Sequence, residues 1–264
     1  MTSTHSNDMI RNKDNLKGLC LYEVQFKEAI YNWKLLLVIN PQLPKDAFWF
    51  LPHDNENTAF DAALYATQKY GGGFLSVVSQ DKRLHQNQDP NRNFSSSQTK
   101  EISCKAQKYA SNLYTKIIFT IIETYKKESY PFLALHSNEN SWRGAGGKGS
   151  VSILHSSKYV HSYPAYKNVS SSSTGLKDED SLIYIAGLSK TPDLKILKSL
   201  LSKGIHVKYE IVNQMNNDCS MSNYVVLHKS HSSYYNIEVE HGALKTQKIM
   251  IDKLMTHIQE ISSY

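Results

Sequence analysis

Five consecutive apolar residues at positions 35–39 (LLLVI) constrain the fold of this chain more than any other segment. An uninterrupted apolar run of this length is typical of a β-strand that is buried on both faces. Along the rest of the chain, strand-like and helical patterns alternate. The sequence therefore predicts an α/β fold, a single domain in which a central mixed, largely parallel sheet is flanked by helices.

The same patterns predict the individual elements. Strands are expected at 33–39, 47–51, 74–78, 132–135, 182–186, 206–212, 224–227 and 234–240, and helices at 57–69, 98–127, 192–203 and 243–261. Residues 1–17 are polar, and we expect them to form a loosely ordered N-terminal segment. The domain itself is expected to span residues 18–264.

Charge and hydrophobicity exclude two classes of partner. The 264 residues carry a formal net charge of +6, but Lys and Arg form no cluster longer than two residues. We therefore expect no nucleic-acid partner. No apolar run is long enough to span a membrane. A basic surface suits a small acidic substrate, whereas the oligomeric state leaves no mark on the sequence.

The cysteines and the N-terminus bear on the cellular compartment. Cys20, Cys104 and Cys219 are an odd number at unrelated spacings, which predicts buried free thiols rather than a disulfide framework. The polar N-terminus lacks the apolar core of a signal peptide, which favours the cytoplasm. A chain from which an export signal had been removed would begin in the same way, so a periplasmic or exported location stays open.

Three residues are candidate metal ligands. His53 and Glu56 lie on the predicted turn between a strand and a helix, and His136 follows the predicted strand 132–135. Open α/β sheets place their sites at such strand ends. Two imidazole nitrogens and one carboxylate leave a fourth tetrahedral position open for water, which distinguishes catalytic Zn²⁺ from structural Zn²⁺. The sequence therefore predicts a Zn²⁺ cofactor.

Four short motifs occur in a fixed order between residues 30 and 242. They are His53-x-x-Glu56, residues 89–94 (DPNRNF), Leu135-His136-Ser137 and Ile237-Glu238-Val239. In this order they resemble the zinc carboxypeptidase superfamily. That superfamily includes carboxypeptidases A and B, bacterial peptidoglycan carboxypeptidases, and the aspartoacylase and succinylglutamate desuccinylase branch.

The resemblance implies how a substrate would be held. Asn91 and Arg92 match the family residues that bind the terminal carboxylate, and a planar guanidinium presents two parallel donors to such a group. Arg83 lies nine residues before Arg92. In the aspartoacylase branch an arginine at nearly this distance stabilises the oxyanion. An ordinary solvated charge is the alternative for Arg83.

A glutamate on a late strand would be the catalytic base. The family uses such a residue to take a proton from water and to pass it to the leaving amine. Glu238 and Glu240 lie on the same side of a strand, so periodicity does not choose between them. Ile237 and Val239 flank Glu238 as in the family pattern, which favours Glu238 and keeps Glu240 in reserve.

Together these features predict a zinc-dependent hydrolase that cleaves an amide bond next to a carboxylate. The motif at 89–94 favours a metallocarboxypeptidase acting on a peptide C-terminus, including that of a cell-wall peptide. Arg83 favours the alternative, a deacylase of N-acyl amino acids. A non-catalytic binding protein on the same fold is a third possibility. It would lack a ligand or the base, whereas this chain has candidates for each of them.

Overall fold

Residues 35–39 form a strand that is buried on both faces. The computed structural model describes residues 7–99, 103–140, 151–229 and 232–262. In strand β2 (Tyr31–Ile39), Leu36 and Val38 pack into one apolar core. Their neighbours in the run pack into a second core on the opposite face of the sheet. The prediction of a strand covered from both sides is confirmed.

The strands of the described residues form one nine-stranded sheet. They are β1 (Cys20–Glu28), β2, β3 (Phe48–Leu51), β4 (Gly73–Val77), β5 (Phe132–Asn138), β6 (Val160–Tyr163), β7 (Leu182–Gly187), β8 (His206–Ile211) and β9 (Tyr234–Glu240). Their order in space is β1-β2-β4-β3-β5-β9-β7-β8-β6. The central strands β4, β3, β5 and β9 run parallel, and antiparallel pairs join them to the strands on either side. This mixed sheet confirms the predicted fold class.

Helices cover both faces of the sheet. They are α1 (Asn7–Arg11), α2 (Asn57–Tyr70), α3 (Asn112–Tyr125), α4 (Leu194–Ser202), α5 (Met221–His228) and α6 (Leu244–Ser262). Helices α2, α4 and α6 pack on one face, and α3 and α5 pack on the other. No helix in the described ranges combines the length and the hydrophobicity that a membrane crossing requires.

The segment that contains α1 packs against α2. Arg11 forms an ion pair with Asp61 of α2 at 2.8 Å, and the side-chain amide of Asn12 donates to the same carboxylate at 2.8 Å. Leu16 is buried in the core beneath. These contacts hold residues 7–17 on the domain.

The helix predicted for residues 98–127 is wrong in its first half, because α3 begins only at Asn112. The described residues before it form turns and bends. Glu28, at the end of β1, accepts hydrogen bonds from the backbone N–H groups of Leu113 and Tyr114 at 2.8 and 3.0 Å. A carboxylate from a distant strand therefore caps the first turn of this helix. A contact between distant segments, rather than the local sequence, marks its start.

The strand predicted for residues 224–227 is also wrong, because these residues lie in α5. The hydroxyl of Ser220 caps this helix by accepting a hydrogen bond from the backbone N–H of Asn223 at 3.3 Å. Two consecutive valines favoured a strand. The cap, together with the burial of Met221 and Val225 in the core, favours the helix instead.

The prediction of free thiols is wrong for two of the three cysteines. Cys104 and Cys219 form a disulfide bond, and Cys20 is free. The backbone N–H of Phe94 donates to the carbonyl oxygen of Cys219 at 3.0 Å, so the bond lies next to the segment 89–94. The two cysteines are 115 residues apart, and their spacing gave no sign of the pairing.

A count of reactive thiols tests this pairing. Because only Cys20 is free, the unfolded but unreduced protein is expected to react with one equivalent of a thiol reagent, and the reduced protein with three. The Cys20→Ser variant is the control, and it should give no reaction before reduction. Three reactive thiols in the unreduced protein would contradict the disulfide.

Candidate metal centre

Two neighbouring strands carry the candidate ligands to the same edge of the sheet. His53 and Glu56 lie on the turn between β3 and α2, and His136 lies near the end of β5. Strands β3 and β5 are parallel neighbours, so their carboxyl ends meet. All three side chains are buried and close to one another.

The distances between the ligand atoms suit a single ion. Nδ1 of His53 lies 2.8 Å from Oε1 of Glu56 and 3.2 Å from Nδ1 of His136. Nδ1 of His136 lies 3.1 Å from Oε2 of Glu56. Ligands at about 2.0–2.1 Å from a tetrahedral ion stand roughly 3.3 Å apart. The three residues therefore form a group that could bind a metal ion.

Asp89 orients the ring of His53. Its Oδ1 lies 2.9 Å from Nε2 of His53, and a carboxylate accepts hydrogen bonds, so Nε2 carries a proton. Nδ1 is then the nitrogen available to a metal, which is the usual arrangement of a ligating histidine with a carboxylate behind it. Burial raises the pKa of Asp89, but His53 opposes this effect and holds that pKa below its ordinary value.

Glu56 is held as a carboxylate. Burial raises its pKa, but His136 and His53 outweigh burial and hold this pKa well below its ordinary range. The backbone N–H of Ser137 donates to Oε2 of Glu56 at 3.1 Å. An ionised carboxylate with a fixed orientation is suited to a cation.

Arg83 stands beside the ligand atoms. Its Nη1 lies 3.1 Å from Oε1 of Glu56 and 3.2 Å from Nδ1 of His53. Its Nη2 lies 3.5 Å from Oδ2 of Asp89. A guanidinium in this place can donate to an oxygen that gains negative charge next to the ligands.

A cavity of about 240 Å³ opens beside the ligands. Six of the eight predicted site residues line it: Glu56, Arg83, Asn91, Arg92, His136 and Glu238. His53 contacts the other ligands without lining the cavity, and Glu240 borders a different cleft together with Asp178 and His241. The structure thus brings together every predicted residue except Glu240.

Glu238 reaches this cavity from β9. It lies directly opposite His136 on the neighbouring strand β5. Burial raises the pKa of Glu238, whereas His136 opposes the rise, and the side-chain amide of Asn236 donates to Glu238 Oε1 at 2.7 Å. A buried carboxylate with a raised pKa is suited to accepting and returning a proton. The geometry favours Glu238 over Glu240, and its role as the base stays a prediction.

Asn91 and Arg92 lie on a short 3₁₀ turn (Pro90–Arg92) that Asp89 caps through the backbone N–H of Asn91, at 2.9 Å. Arg92 is largely buried. Its Nε lies 3.1 Å from Oδ2 of Asp218, and its Nη1 donates to the carbonyl oxygen of Asn91 at 2.8 Å. These two contacts fix a cation at the wall of the cavity.

Four polar residues of the site were not predicted as functional. Asp89 enters the sequence prediction only as part of a motif, although its place just before a turn that begins with proline is a sign of a structural role. Asp218, Asn236 and Glu210 also line the cavity or contact its residues. Glu210 alternates with two other buried polar residues on β8. Polar side chains at alternating positions of a strand that is buried on both faces are the sequence feature that points to it.

Comparisons with known proteins give matches among solved structures alone. No protein-family model matches the chain, and no curated protein sequence matches it. Several solved structures do match. Bovine thrombin-activatable fibrinolysis inhibitor is 10% identical over 96% of this chain and 95% of that chain, with a TM-score of 0.48.

Two bacterial enzymes match at similar levels. Murein-tripeptide amidase from Escherichia coli O157 is 10% identical over 96% of both chains, with a TM-score of 0.44. Succinylglutamate desuccinylase from Vibrio cholerae is 12% identical over 96% of this chain and 70% of that chain, with a TM-score of 0.42. At such low identity, the chemistry of this site has to be inferred from its own side chains.

The contact between Asp89 and His53 can be tested by metal binding. The Asp89→Asn substitution removes the charge that orients His53, so we expect the affinity for Zn²⁺ to fall about tenfold or more in a competition assay with a chelating dye. Asp218→Asn is a matched control, because Asp218 lines the same cavity but pairs with Arg92 rather than with a candidate metal ligand. Equal affinities of Asp89→Asn and the parent protein would contradict this role.

Proposed function

We propose that this chain is a zinc-dependent hydrolase that cleaves an amide bond next to a carboxylate, most specifically a metallocarboxypeptidase. One observation carries the proposal. The buried group of His53, Glu56 and His136 borders a cavity that also contains a buried arginine and a buried glutamate. A metal group, a cation for a carboxylate and a base are the parts that such a reaction requires.

Zinc is the ion that this group suits best. Two imidazole nitrogens and one carboxylate are typical of catalytic zinc sites, in which a fourth position stays open. The carboxylate behind His53 is also typical of zinc sites. Bound at His53, Glu56 and His136, zinc would polarise the substrate carbonyl and make a water molecule more acidic.

The side chains around the ligands would carry out the proton and charge transfers. Glu238 would accept a proton from the attacking water and later donate it to the nitrogen of the leaving amine. Arg83 would donate hydrogen bonds to the carbonyl oxygen as that oxygen becomes negative. Its contact with the ligand Glu56 supports this role.

The substrate would be positioned by its carboxylate. Arg92 would bind this group with Asn91 beside it, because a fixed guanidinium at the cavity wall matches a carboxylate in charge and shape. Both residues line the same cavity as the ligands. This arrangement favours release of the C-terminal residue of a peptide. The place of Arg83 beside Glu56 keeps a deacylase of N-acyl amino acids as the second candidate.

We also propose that the chain works in an oxidising compartment, which is the exported location that the sequence left open. A disulfide between Cys104 and Cys219 supports this location, since such bonds persist outside the reducing cytoplasm. The thiol count described above, made on protein isolated from its native cells, tests it. Three free thiols in that protein would favour the cytoplasm.

Hydrolysis by the zinc-loaded protein tests the proposed activity. Dipeptides blocked at the N-terminus should lose their C-terminal amino acid faster than N-acetyl or N-succinyl amino acids are cleaved, and a chelator should stop both reactions. Glu238→Gln is expected to lower kcat about a hundredfold or more, because the base is lost, while the zinc content stays the same.

The Glu240→Gln variant distinguishes the two candidate bases. A large loss of kcat in that variant, with Glu238→Gln still active, would move the role to Glu240. Faster cleavage of the N-acyl amino acids would favour the deacylase. A zinc-loaded parent protein that cleaves neither class of substrate would contradict the hydrolase and leave a binding protein.

A further inference from the structure

The wall of the cavity around Arg92 contains a buried carboxylate whose hydrogen-bond donors are uncharged. Glu210 of β8 lines the cavity and is 8% exposed. Its two oxygens accept hydrogen bonds from the hydroxyl of Ser222 at 3.1 Å and from the side-chain amide of Asn223 at 2.9 Å. Both donors are uncharged. Among the described residues, no ion pair involves Glu210.

A second residue of this cavity has a buried oxygen to which no described group donates. Asn236 lines the cavity and is 5% exposed, and its Nδ2 donates to Glu238. Its Oδ1 is buried and has no hydrogen-bond partner within the described parts of the chain. A buried acceptor without a donor is unfavourable, so this oxygen is a place where a ligand N–H would be stabilising.

Two nitrogens of the arginine in the cavity bind groups other than Glu210. Arg92 uses Nε for Asp218 and Nη1 for the carbonyl oxygen of Asn91. Burial, with Asp218 as a second cause, raises the pKa of Glu210 to about 7, and the opposing effect of Arg92 does not offset this rise. A positively charged ligand atom would relieve this effect and would also face Asp218.

We propose that the cavity wall formed by Glu210, Asn236 and Asp218 binds the cationic side chain of the residue that the reaction releases. The substrate would then end in a basic amino acid of the lysine, ornithine or diaminopimelate class. This inference rests on the proposed function in one respect, namely that Arg92 and Asn91 bind the carboxylate of the same residue. An apolar side chain in this position would leave Glu210 without an ion-pair partner and Oδ1 of Asn236 without a donor.

Binding of free amino acids tests the proposal without any bond cleavage. L-Lysine, 6-hydroxy-L-norleucine and L-norleucine share the carboxylate and differ at the end of the side chain. In calorimetry, we expect lysine to bind about tenfold or more tightly than 6-hydroxynorleucine, both to the zinc-loaded and to the chelator-treated protein. A difference of this size is typical of a hydrogen bond to a charged group. Equal binding of the two, or no binding of lysine, would overturn the proposal.

Two variants locate the preference. Glu210→Gln should bind lysine and 6-hydroxynorleucine equally, because the charge is lost while a hydrogen-bond acceptor for Ser222 remains. Asp218→Asn is a second variant at a more exposed position, where folding is at less risk, and it should reduce the preference for lysine. Glu28→Gln is the matched control, because Glu28 is a half-buried carboxylate that caps α3 outside the cavity. An unchanged preference in both Glu210→Gln and Asp218→Asn would overturn the proposal.

Failure of this inference can be told apart from failure of the proposed function. A protein that prefers lysine but cleaves no peptide would retain the subsite and contradict the hydrolase. A protein that cleaves peptides ending in lysine and in norleucine with equal kcat/KM would retain the hydrolase and contradict the subsite.

Discussion

Three neighbouring parallel strands end at the same edge of the sheet, and the site depends on this alignment. Strand β3 leads into the turn that carries His53 and Glu56, β5 carries His136, and β9 carries Glu238. A shift of β5 or β9 by one residue would turn His136 or Glu238 to the opposite face of the sheet. The two apolar cores on either side of the sheet hold this register and hence the distances between the ligand atoms.

Burying so many polar groups is costly, and most of them are stabilised by a specific partner. The buried ammonium of Lys208 donates to the carbonyl oxygens of Ser152 and His155, and burial lowers its pKa to about 8. These contacts hold the segment 151–163, part of which lines the cavity. His53 and Glu56 are likewise hydrogen-bonded, to Asp89 and to the backbone N–H of Ser137. On the wall near Arg92, Oδ1 of Asn236 has no hydrogen-bond partner within the described residues, and this oxygen directs attention to a ligand.

The sequence predicted the sheet and the grouping of His53, Glu56 and His136 better than the helices on the face that carries α3 and α5. Apolar runs such as 35–39 carry their own signal, because burial on both faces leaves few polar positions. The ligands could be predicted from the order of their motifs. The start of α3 could not, because Glu28 caps it from a distant strand. The disulfide joins residues that are far apart in sequence, so spacing gave no indication of it.

The choice between Glu238 and Glu240 needed the structure for another reason. Both side chains lie on the same side of β9, but Glu238 lines the cavity and Glu240 borders a different cleft. Alternation along a strand predicts which face a side chain is on, but it does not predict where along that face a cavity ends. The partners of Glu210 come from α5, a helix for which the sequence predicts a strand. The sequence therefore gives no indication of the partners that surround Glu210 in the cavity wall.

The most direct test of the central claim is a crystal structure of the protein with Zn²⁺, with anomalous diffraction measured at the zinc absorption edge. We predict one strong peak per chain within about 2.1 Å of Nδ1 of His53, Nδ1 of His136 and a carboxylate oxygen of Glu56. The absence of a peak at these three residues, or a peak bound only elsewhere on the chain, would contradict the metal centre and the hydrolase built on it.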